Sequence, residues 1–352
     1  MFIILAILAF GILIFVHEMG HFIAAKCCGV NVLEFSMGMG PRLFGFKKNE
    51  TEYSVRLLPV GGYCAMEGED GESASPRSFA SQSLGKRLVI LAAGSAMNFL
   101  IGLLLVGVLY MNSAGYNSAV IMDFYDGCPY EGTLQRGDRI VSVNGERVYY
   151  YGNFSEYISK DAPDGDVELV IRRDGKRIEL HDYHMVPVEY RLDDGTVETK
   201  YGIYFAVEEP SFANWLRYSW YTCLDFVRMV RIGLVSLFRG EAQMSEMTGV
   251  VGMVDLLNEA GQSAETTALG IENVLYLVAF IAVNLSVMNM LPIPALDGGH
   301  IFTICVSCLI EKISGKKPNP KIENYIHVIG LILLLGLMLL VMYNDIARII
   351  TR

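Results

Sequence analysis

The sequence predicts a multi-span α-helical membrane protein with about four transmembrane helices, a membrane-associated β-hairpin and an inserted small β-rich domain. The chain has 352 residues, 52% of them hydrophobic, and a mean hydropathy of +0.36, which is too apolar for an ordinary soluble protein. A helix that spans a bilayer needs about 20 mostly apolar residues. Four segments approach or exceed that length, namely Phe2–Ala25, Leu88–Met111, Val274–Met290 with its flanks, and Ile326–Tyr343.

The segment between the first two spans predicts a β-hairpin beside the membrane. Thr51–Leu58 partly alternates polar and apolar residues, as half-buried strands do. Met37–Pro41 precedes this run and Pro59–Tyr63 follows it, and both carry the glycine and proline that punctuate strands.

The inserted domain is predicted from about Gly115 to Val188. Strand-like runs there are separated by the turn pairs Asn144-Gly145 and Asp174-Gly175, and Asn153–Lys160 fits a short helix. The runs are Ala119–Phe124, Arg139–Val143, Val167–Arg172 and Lys176–Leu180. We therefore divide the chain into residues 1–112 (spans one and two with the hairpin), 113–190 (the β-rich domain), 191–270 (a linker) and 271–352 (spans three and four).

The linker is expected to hold an amphipathic helix at the membrane surface. Ser211–Arg239 is rich in aromatic residues but also carries charges, so an interfacial helix is favoured over a fifth span. Gly249–Met253 is expected to be a loop near the outer surface.

Charge predicts the topology and excludes one class of partner. Half of the 38 acidic residues fall between Val120 and Pro210, so nucleic-acid binding is not expected. By the positive-inside rule, the basic loops between spans one and two and between spans three and four are cytoplasmic. The inserted domain is then extracytoplasmic. The basic residues are Lys26, Arg42, Lys47, Lys48, Arg56, Arg77, Lys86 and Arg87 in the first loop, and Lys312, Lys316, Lys317 and Lys321 in the second.

A metal-binding motif lies within the first span. His17-Glu18-Met19-Gly20-His21 is an H-E-x-x-H sequence, and residues four apart share one face of a helix. His17 and His21 can therefore bind one zinc ion, and Glu18 can act as a general base on a metal-bound water. The alternative is a packing pair of histidines, which would leave three costly polar groups in an apolar span.

Asp297 is the favoured third ligand. It follows two prolines in Asn289–His300, which must disturb the third span, while Gly298-Gly299 permit a sharp turn. Irregular backbone at membrane depth occurs where it is buried in protein or lines a cavity. His300, three residues further on, is the rival ligand.

Several other polar or small residues have structural interpretations. Gly94–Asn98 and Gly102 in span two suit close helix packing, which is favoured over a direct catalytic role. His181, His184 and His327 are interpreted as surface or packing residues, and the 7 cysteines as small buried hydrophobes.

The two motifs together closely resemble the site-2 protease family of intramembrane zinc metalloproteases. The likeness is to the bacterial branch with an inserted PDZ domain, the regulators of sigma-factor release, and especially to members with one such domain. It covers His17–His21, the sequence N-x-x-P-x-P-x-L-D-G-G at Asn289–Gly299, and the order of spans and insert. In the insert, Gln135–Gly145 matches a strand and turn typical of PDZ domains.

The resemblance implies zinc bound by His17, His21 and Asp297, with Glu18 as the catalytic base. It implies that Asn289 holds the substrate backbone or the oxyanion. The hairpin, with its substrate-contacting residues Gly38, Gly40, Gly61, Gly62 and Tyr63, resembles the family's membrane-associated β-loop, which could pair with an unwound substrate strand.

The expected activity is cleavage of single-span membrane proteins within or near the transmembrane segment, in regulated intramembrane proteolysis. The resemblance implies anti-sigma factors and remnant signal peptides as substrates, and a multi-pass protein of the cell membrane with its active site nearer the cytoplasm. The PDZ domain would contact peptide or act as a size filter. The alternative function is a non-catalytic membrane adaptor that binds partners through the PDZ domain.

Overall fold

The helical part of the predicted fold is confirmed. In a computed structural model, residues 2–69, 75–161, 165–191, 196–240, 249–315 and 320–351 are described. Four helices in these ranges are long and apolar enough to cross a membrane, with their apolar cores at Phe2–Cys28, Leu84–Tyr110, Thr267–Asn289 and Tyr325–Arg348. In chain order the helices are α1 Phe2–Cys28, α2 Leu84–Tyr110, α3 Tyr151–Asp161, α4 Phe212–Arg239, α5 Val250–Gln262, α6 Thr267–Asn289, α7 Asp297–Ser314 and α8 Pro320–Thr351.

The chain divides into two compact units, Met1–Leu109 with Thr222–Arg352, and Tyr110–Tyr221. The strands of the first are β1 Val32–Lys48 and β2 Thr51–Met66; those of the second are β3 Tyr116–Phe124, β4 Arg139–Val143, β5 Glu146–Arg147, β6 Asp166–Arg173, β7 Lys176–His184, β8 Val188–Arg191, β9 Val197–Lys200 and β10 Ile203–Glu208.

The predicted hairpin is wider than its sequence suggests. Glu34–Met37 in β1 pairs on one side with residues 62–65 and on the other with residues 52–55. Both long strands therefore bend near their middle, β1 at Gly38–Pro41 and β2 just before Gly61. Gly38, Gly40 and Gly61 have positive φ angles of 84° to 87°, which glycine adopts without the steric cost of a Cβ. The result is a sheet four segments wide.

The inserted unit is β-rich, as predicted. Its main sheet has the order β10-β3-β4-β6-β7, with β5 paired to β4, and β8 and β9 form a separate hairpin. Asn144 and Gly145 both have positive φ angles, as a tight turn between β4 and β5 requires. Because β10 pairs with β3, this sheet extends beyond residue 190.

Two local expectations were wrong. Gly249–Met253 is not a loop, because α5 begins at Val250; Oδ2 of Asp345 on α8 accepts the N–H groups of Gly249 and Gly252 and so caps the helix. Gly298 and Gly299 do not make a turn either. They form the first turn of α7 and let it pack against the backbone of residues 290–294, where a Cβ would overlap carbonyl groups.

Candidate metal centre

The two motif histidines lie on one face of α1, within its last three turns. Nε2 of His17 is 3.2 Å from Nε2 of His21, and the ring centroids are 4.8 Å apart. His21 is buried and His17 is nearly so. Both rings therefore present their Nε2 atoms to the same point inside the protein.

Asp297 completes a triangle with these histidines. Its Oδ2 atom lies 3.3 Å from Nε2 of His17 and 3.4 Å from Nε2 of His21. Tetrahedral zinc with bonds of about 2.0–2.2 Å holds its ligand atoms roughly 3.3–3.6 Å apart. Oδ2 is buried and makes no directed hydrogen bond, so the three donor atoms fit one zinc ion. Among the described residues, no other group of three or more candidate ligands comes together.

α2 fixes the orientation of His21. Nδ1 of His21 lies 2.9 Å from the carbonyl oxygen of Ile90, so the Nδ1–H donates there and Nε2 is left free as a ligand. Gly20 of α1 packs against the backbone of Ala93, and a Cβ at Gly94 would overlap the His21 ring. The small residues of α2 thus form one wall of the site.

Glu18 faces the hairpin. Gly62 of β2 is next to it, because a Cβ at Gly62 would lie 3.3 Å from the Cγ of Glu18. The edge of β2 therefore sets the position of the predicted base. Glu18 follows His17 directly on α1, so it belongs to the same polar segment of the helix.

Asn289, the last residue of α6, lies at the edge of the triangle. Its Nδ2 is 3.5 Å from Nε2 of His17. The loop of residues 290–296 then returns the chain to the site at Asp297. The break between α6 and α7, predicted from the two prolines, thus brings Asn289 and Asp297 to the same two histidines.

The other predicted substrate contacts have different surroundings. Gly62 is beside Glu18, and its ideal Cβ would be 4.0 Å from the Gly38 nitrogen. Gly61 packs on Met39. Gly40 and Tyr63 join a network around Arg56, whose Nη1 donates to the Gly40 carbonyl at 2.8 Å and whose guanidinium lies 5.1 Å from the Tyr63 ring.

The network around Arg56 joins three of the four segments of the hairpin sheet. Nη2 of Arg56 donates to Oε1 of Glu34 at 2.8 Å and also contacts the Tyr63 hydroxyl. Nε donates to Oγ of Ser36 at 3.1 Å. Arg56, itself on β2, therefore connects the first segment of β1, the β1 bend at Gly40 and the β2 segment that lies beside Glu18.

His327, interpreted from the sequence as a surface or packing histidine, packs against the loop that precedes Asp297. Its Nδ1 accepts the Ala295 N–H at 3.2 Å, and its ring stacks on His300 with centroids 3.8 Å apart. His300, the rival ligand, is thus directed to α8 and does not join the triangle. The only available signal was a histidine within an apolar span, which is costly without a partner.

Comparisons with known proteins find a matching family and several similar sequences. The sequence model described as peptidase family M50 matches residues 5–337. A Clostridium perfringens homologue of zinc metalloproteases is 35% identical over 346 residues, 98% of each chain. The "regulator of sigma-W protease RasP" of Bacillus subtilis is 27% identical over 425 aligned positions, 97% of each chain.

Two further proteins are similar to this chain or to a part of it. The "zinc metalloprotease RasP" of Bacillus licheniformis is 28% identical, covering 97% of this chain and 98% of its own. Among solved structures, the PDZ domain of an SdrC-like protein from Listeria monocytogenes is 25% identical and covers 26% of this chain and 90% of its own, with a TM-score of 0.20.

Proposed function

Because the chain belongs to peptidase family M50 and is a membrane-embedded zinc metalloprotease, we propose that His17, His21 and Asp297 bind the zinc and that the enzyme cleaves single-span membrane proteins within or near their transmembrane segment. The observation that carries this proposal is the triangle of donor atoms, with sides of 3.2, 3.3 and 3.4 Å. Its two histidines lie on α1, which is apolar enough to span a membrane, and Asp297 begins α7, shortly after the end of the apolar helix α6. Family membership sets aside the non-catalytic adaptor.

Each residue of the cluster has a chemical role. Zinc, when bound, polarises the scissile carbonyl and lowers the pKa of water. Glu18 takes the proton from the attacking water and delivers it to the leaving amine. The Asn289 amide donates a hydrogen bond to the carbonyl oxygen as negative charge develops there.

The hairpin presents the substrate. Among the described residues, the β2 segment of residues 62–66 pairs with β1 on one side only, and Gly62 in this segment lies next to Glu18. An unwound substrate segment adds to this free edge as a further strand, and a peptide bond then lies beside the base. Gly38, Gly40, Gly61, Gly62 and Tyr63 shape this edge and its bends.

The substrate class and orientation follow from the relatives and the charges. A relative is named a regulator of sigma-W protease, so we infer anti-sigma factors and similar remnants as substrates. The positive-inside rule applied to the basic loops supports a metal centre nearer the cytoplasm and an inserted PDZ domain outside the cell membrane. Of the basic residues that support this orientation, Lys316 and Lys317 lie outside the described residues.

The test is cleavage of a single-span substrate by the full-length protein in liposomes. Mass spectrometry of the products should place the cut within or beside the apolar segment. Glu18→Gln should retain zinc and lose activity by about 10²–10⁴-fold, the contribution of a general base. Equal cleavage by both proteins, or cuts confined to a soluble domain, would contradict the proposal.

A further inference from the structure

A recess on the inserted unit is lined by three arginines and two tyrosines. The charged side chains are Arg139, Arg147 and Arg172, the aromatic ones are Tyr149 and Tyr221, and no carboxylate lines the recess. The unit as a whole is acidic, with nineteen acidic and ten basic residues between Val120 and Pro210. A concentration of positive charge at one point of an acidic domain requires an explanation.

The arginines are placed against electrostatic preference. Arg139 of β4 and Arg172 of β6 are directly opposite in the sheet register. Like charges at directly opposed positions destabilise a sheet. Among the described residues, neither Arg147 nor Arg172 has an ion-pair partner, and the nearest one for Arg139 is Glu208 at 4.0 Å. Glu208 is also paired with Arg217.

The aromatic residues supply further donors and fix the wall of the recess. The rings of Tyr149 and Tyr221 have centroids 4.8 Å apart, and the Arg147 guanidinium lies 5.4 Å from the Tyr149 ring. Three guanidinium groups with two nearby phenol hydroxyls match the acceptor oxygens of a phosphate group.

The position of the recess decides which phosphate it meets. Tyr221 is on α4, and one turn earlier Tyr218 contacts Tyr110, the last residue of the membrane span α2, with centroids 4.9 Å apart. Trp220, next to Tyr221, and Phe212 at the start of α4 are exposed. Exposed tryptophan and phenylalanine with tyrosine at the end of a span are typical of a membrane–water interface. These residues of the inserted unit suit the headgroup level of a bilayer, and Tyr221, beside Trp220, lines the recess.

We propose that this recess binds the phosphate of an anionic phospholipid headgroup through Arg139, Arg147 and Arg172, and so anchors the inserted unit at the membrane surface. The bound phosphate lies between the opposed Arg139 and Arg172 and offsets their repulsion. This site is separate from the metal centre in both residues and chemistry, so its failure would leave the proposed proteolysis untouched.

The test titrates short-chain phosphatidylglycerol and, separately, short-chain phosphatidylcholine into the full-length protein in neutral detergent. Trp215 and Trp220 are the only tryptophans in the sequence, and both precede Tyr221 on α4, so their fluorescence reports binding. We expect saturable binding of phosphatidylglycerol but not of phosphatidylcholine. The double substitution Arg147→Gln with Arg172→Gln should weaken binding by roughly tenfold or more.

Matched controls keep the test independent of folding. Arg136→Gln with Lys176→Gln removes the same charge from the same unit outside the recess, and should bind phosphatidylglycerol as the wild type does. Arg147→Lys with Arg172→Lys should retain most of the binding, since the charge remains. Equal melting temperatures would show that the Gln variant is folded; if it unfolds, the Lys pair and the single Arg172→Gln variant carry the test.

Four results would overturn the proposal. The first is equal binding of both lipids by the wild type, and the second is equal binding of phosphatidylglycerol by the Gln pair and its control pair. The third is inorganic phosphate that binds as tightly as phosphatidylglycerol. The fourth is a tryptophan fluorescence change caused by an acidic substrate peptide but not by either lipid. The third result would identify a soluble anion site, and the fourth a peptide site.

Discussion

Gly94 of α2 lies directly against the imidazole ring of His21. A Cβ at this position would be 2.7 Å from Cε1 of His21 and would overlap its Nε2. The same Cβ would be 2.7 Å from Cε1 of His17. The second span therefore has a specific role at the metal centre, because only glycine leaves room there for both rings.

Gly94→Ala should abolish zinc binding and proteolysis. The added methyl group would force both histidine rings from the positions that form the triangle. Zinc per protein, measured by plasma emission spectroscopy after purification, is the direct readout. Gly85→Ala on the same helix is the control, since nothing lies within 4 Å of its Cβ. Full zinc content in Gly94→Ala would contradict this prediction, because it would show that the two histidine rings can move and still bind zinc.

Asp297→Asn should lower zinc affinity by more than about tenfold, since even the loss of a residue that only orients a metal ligand costs that much. The amide lacks the negative charge that balances the ion. His300→Asn should leave zinc content unchanged, because the His300 ring stacks on His327 and does not join the triangle. Competition with a zinc chelator measures the zinc affinity of both variants. The reverse pattern would assign the third ligand to His300.

His327→Ala should weaken zinc binding although His327 does not contact the site. Its Nδ1 accepts the Ala295 N–H, so the ring proton is on Nε2, which donates to Oγ1 of Thr303 at 3.2 Å. These bonds hold the loop that places Asp297. We expect roughly tenfold weaker zinc binding, as for other residues that orient a ligand.

His327→Asn provides the rescue for this positioning role. The side-chain oxygen of asparagine can stand near the Nδ1 position and accept the Ala295 N–H, so zinc affinity should partly return. Leu333→Ala, an exposed position on the same helix, should have no effect. Equal zinc affinity in wild type and His327→Ala would show that the loop keeps its shape without α8.

Asp345→Ala should destabilise the membrane unit by about 1–3 kcal/mol, the cost of leaving buried N–H groups unpaired. Asp345 is fully buried, and its Oδ2 accepts from Gly249 at 3.0 Å and from Gly252 at 2.8 Å. Thermal unfolding in detergent measures the loss. Asp345→Asn, which keeps one acceptor oxygen, should lose less; identical melting temperatures for all three proteins would rule out the capping role.

Much of the fold was predictable because membrane spans depend on local composition. The four spans required only long apolar runs, and the strands of the insert required only alternation and turn pairs such as Asn144-Gly145. The four-segment hairpin sheet was not predictable, since residues 34–37 pair with two distant segments. The cap on α5 was missed because its acceptor, Asp345, is 93 residues from Gly252.

The metal centre shows the same division. His17 and His21 are linked by helical periodicity, and Asp297 was found from the cost of a carboxylate on a broken apolar helix. Gly94, the Ile90 carbonyl and His327 act through tertiary contacts, and no local pattern distinguishes Gly94 from a glycine that only packs helices. The pair Gly298-Gly299 predicted a turn. In the structure these glycines are needed because the first turn of α7 packs closely against the backbone of residues 290–294.

The coordination of zinc by His17, His21 and Asp297 is tested most directly by zinc K-edge X-ray absorption of the purified full-length protein. The predicted first shell contains only nitrogen and oxygen at about 2.0–2.2 Å, with outer-shell scattering from two imidazoles. In Asp297→Asn any remaining zinc should keep the two imidazoles and lose one oxygen. A sulfur scatterer at about 2.3 Å, or a third imidazole, would contradict this ligand set.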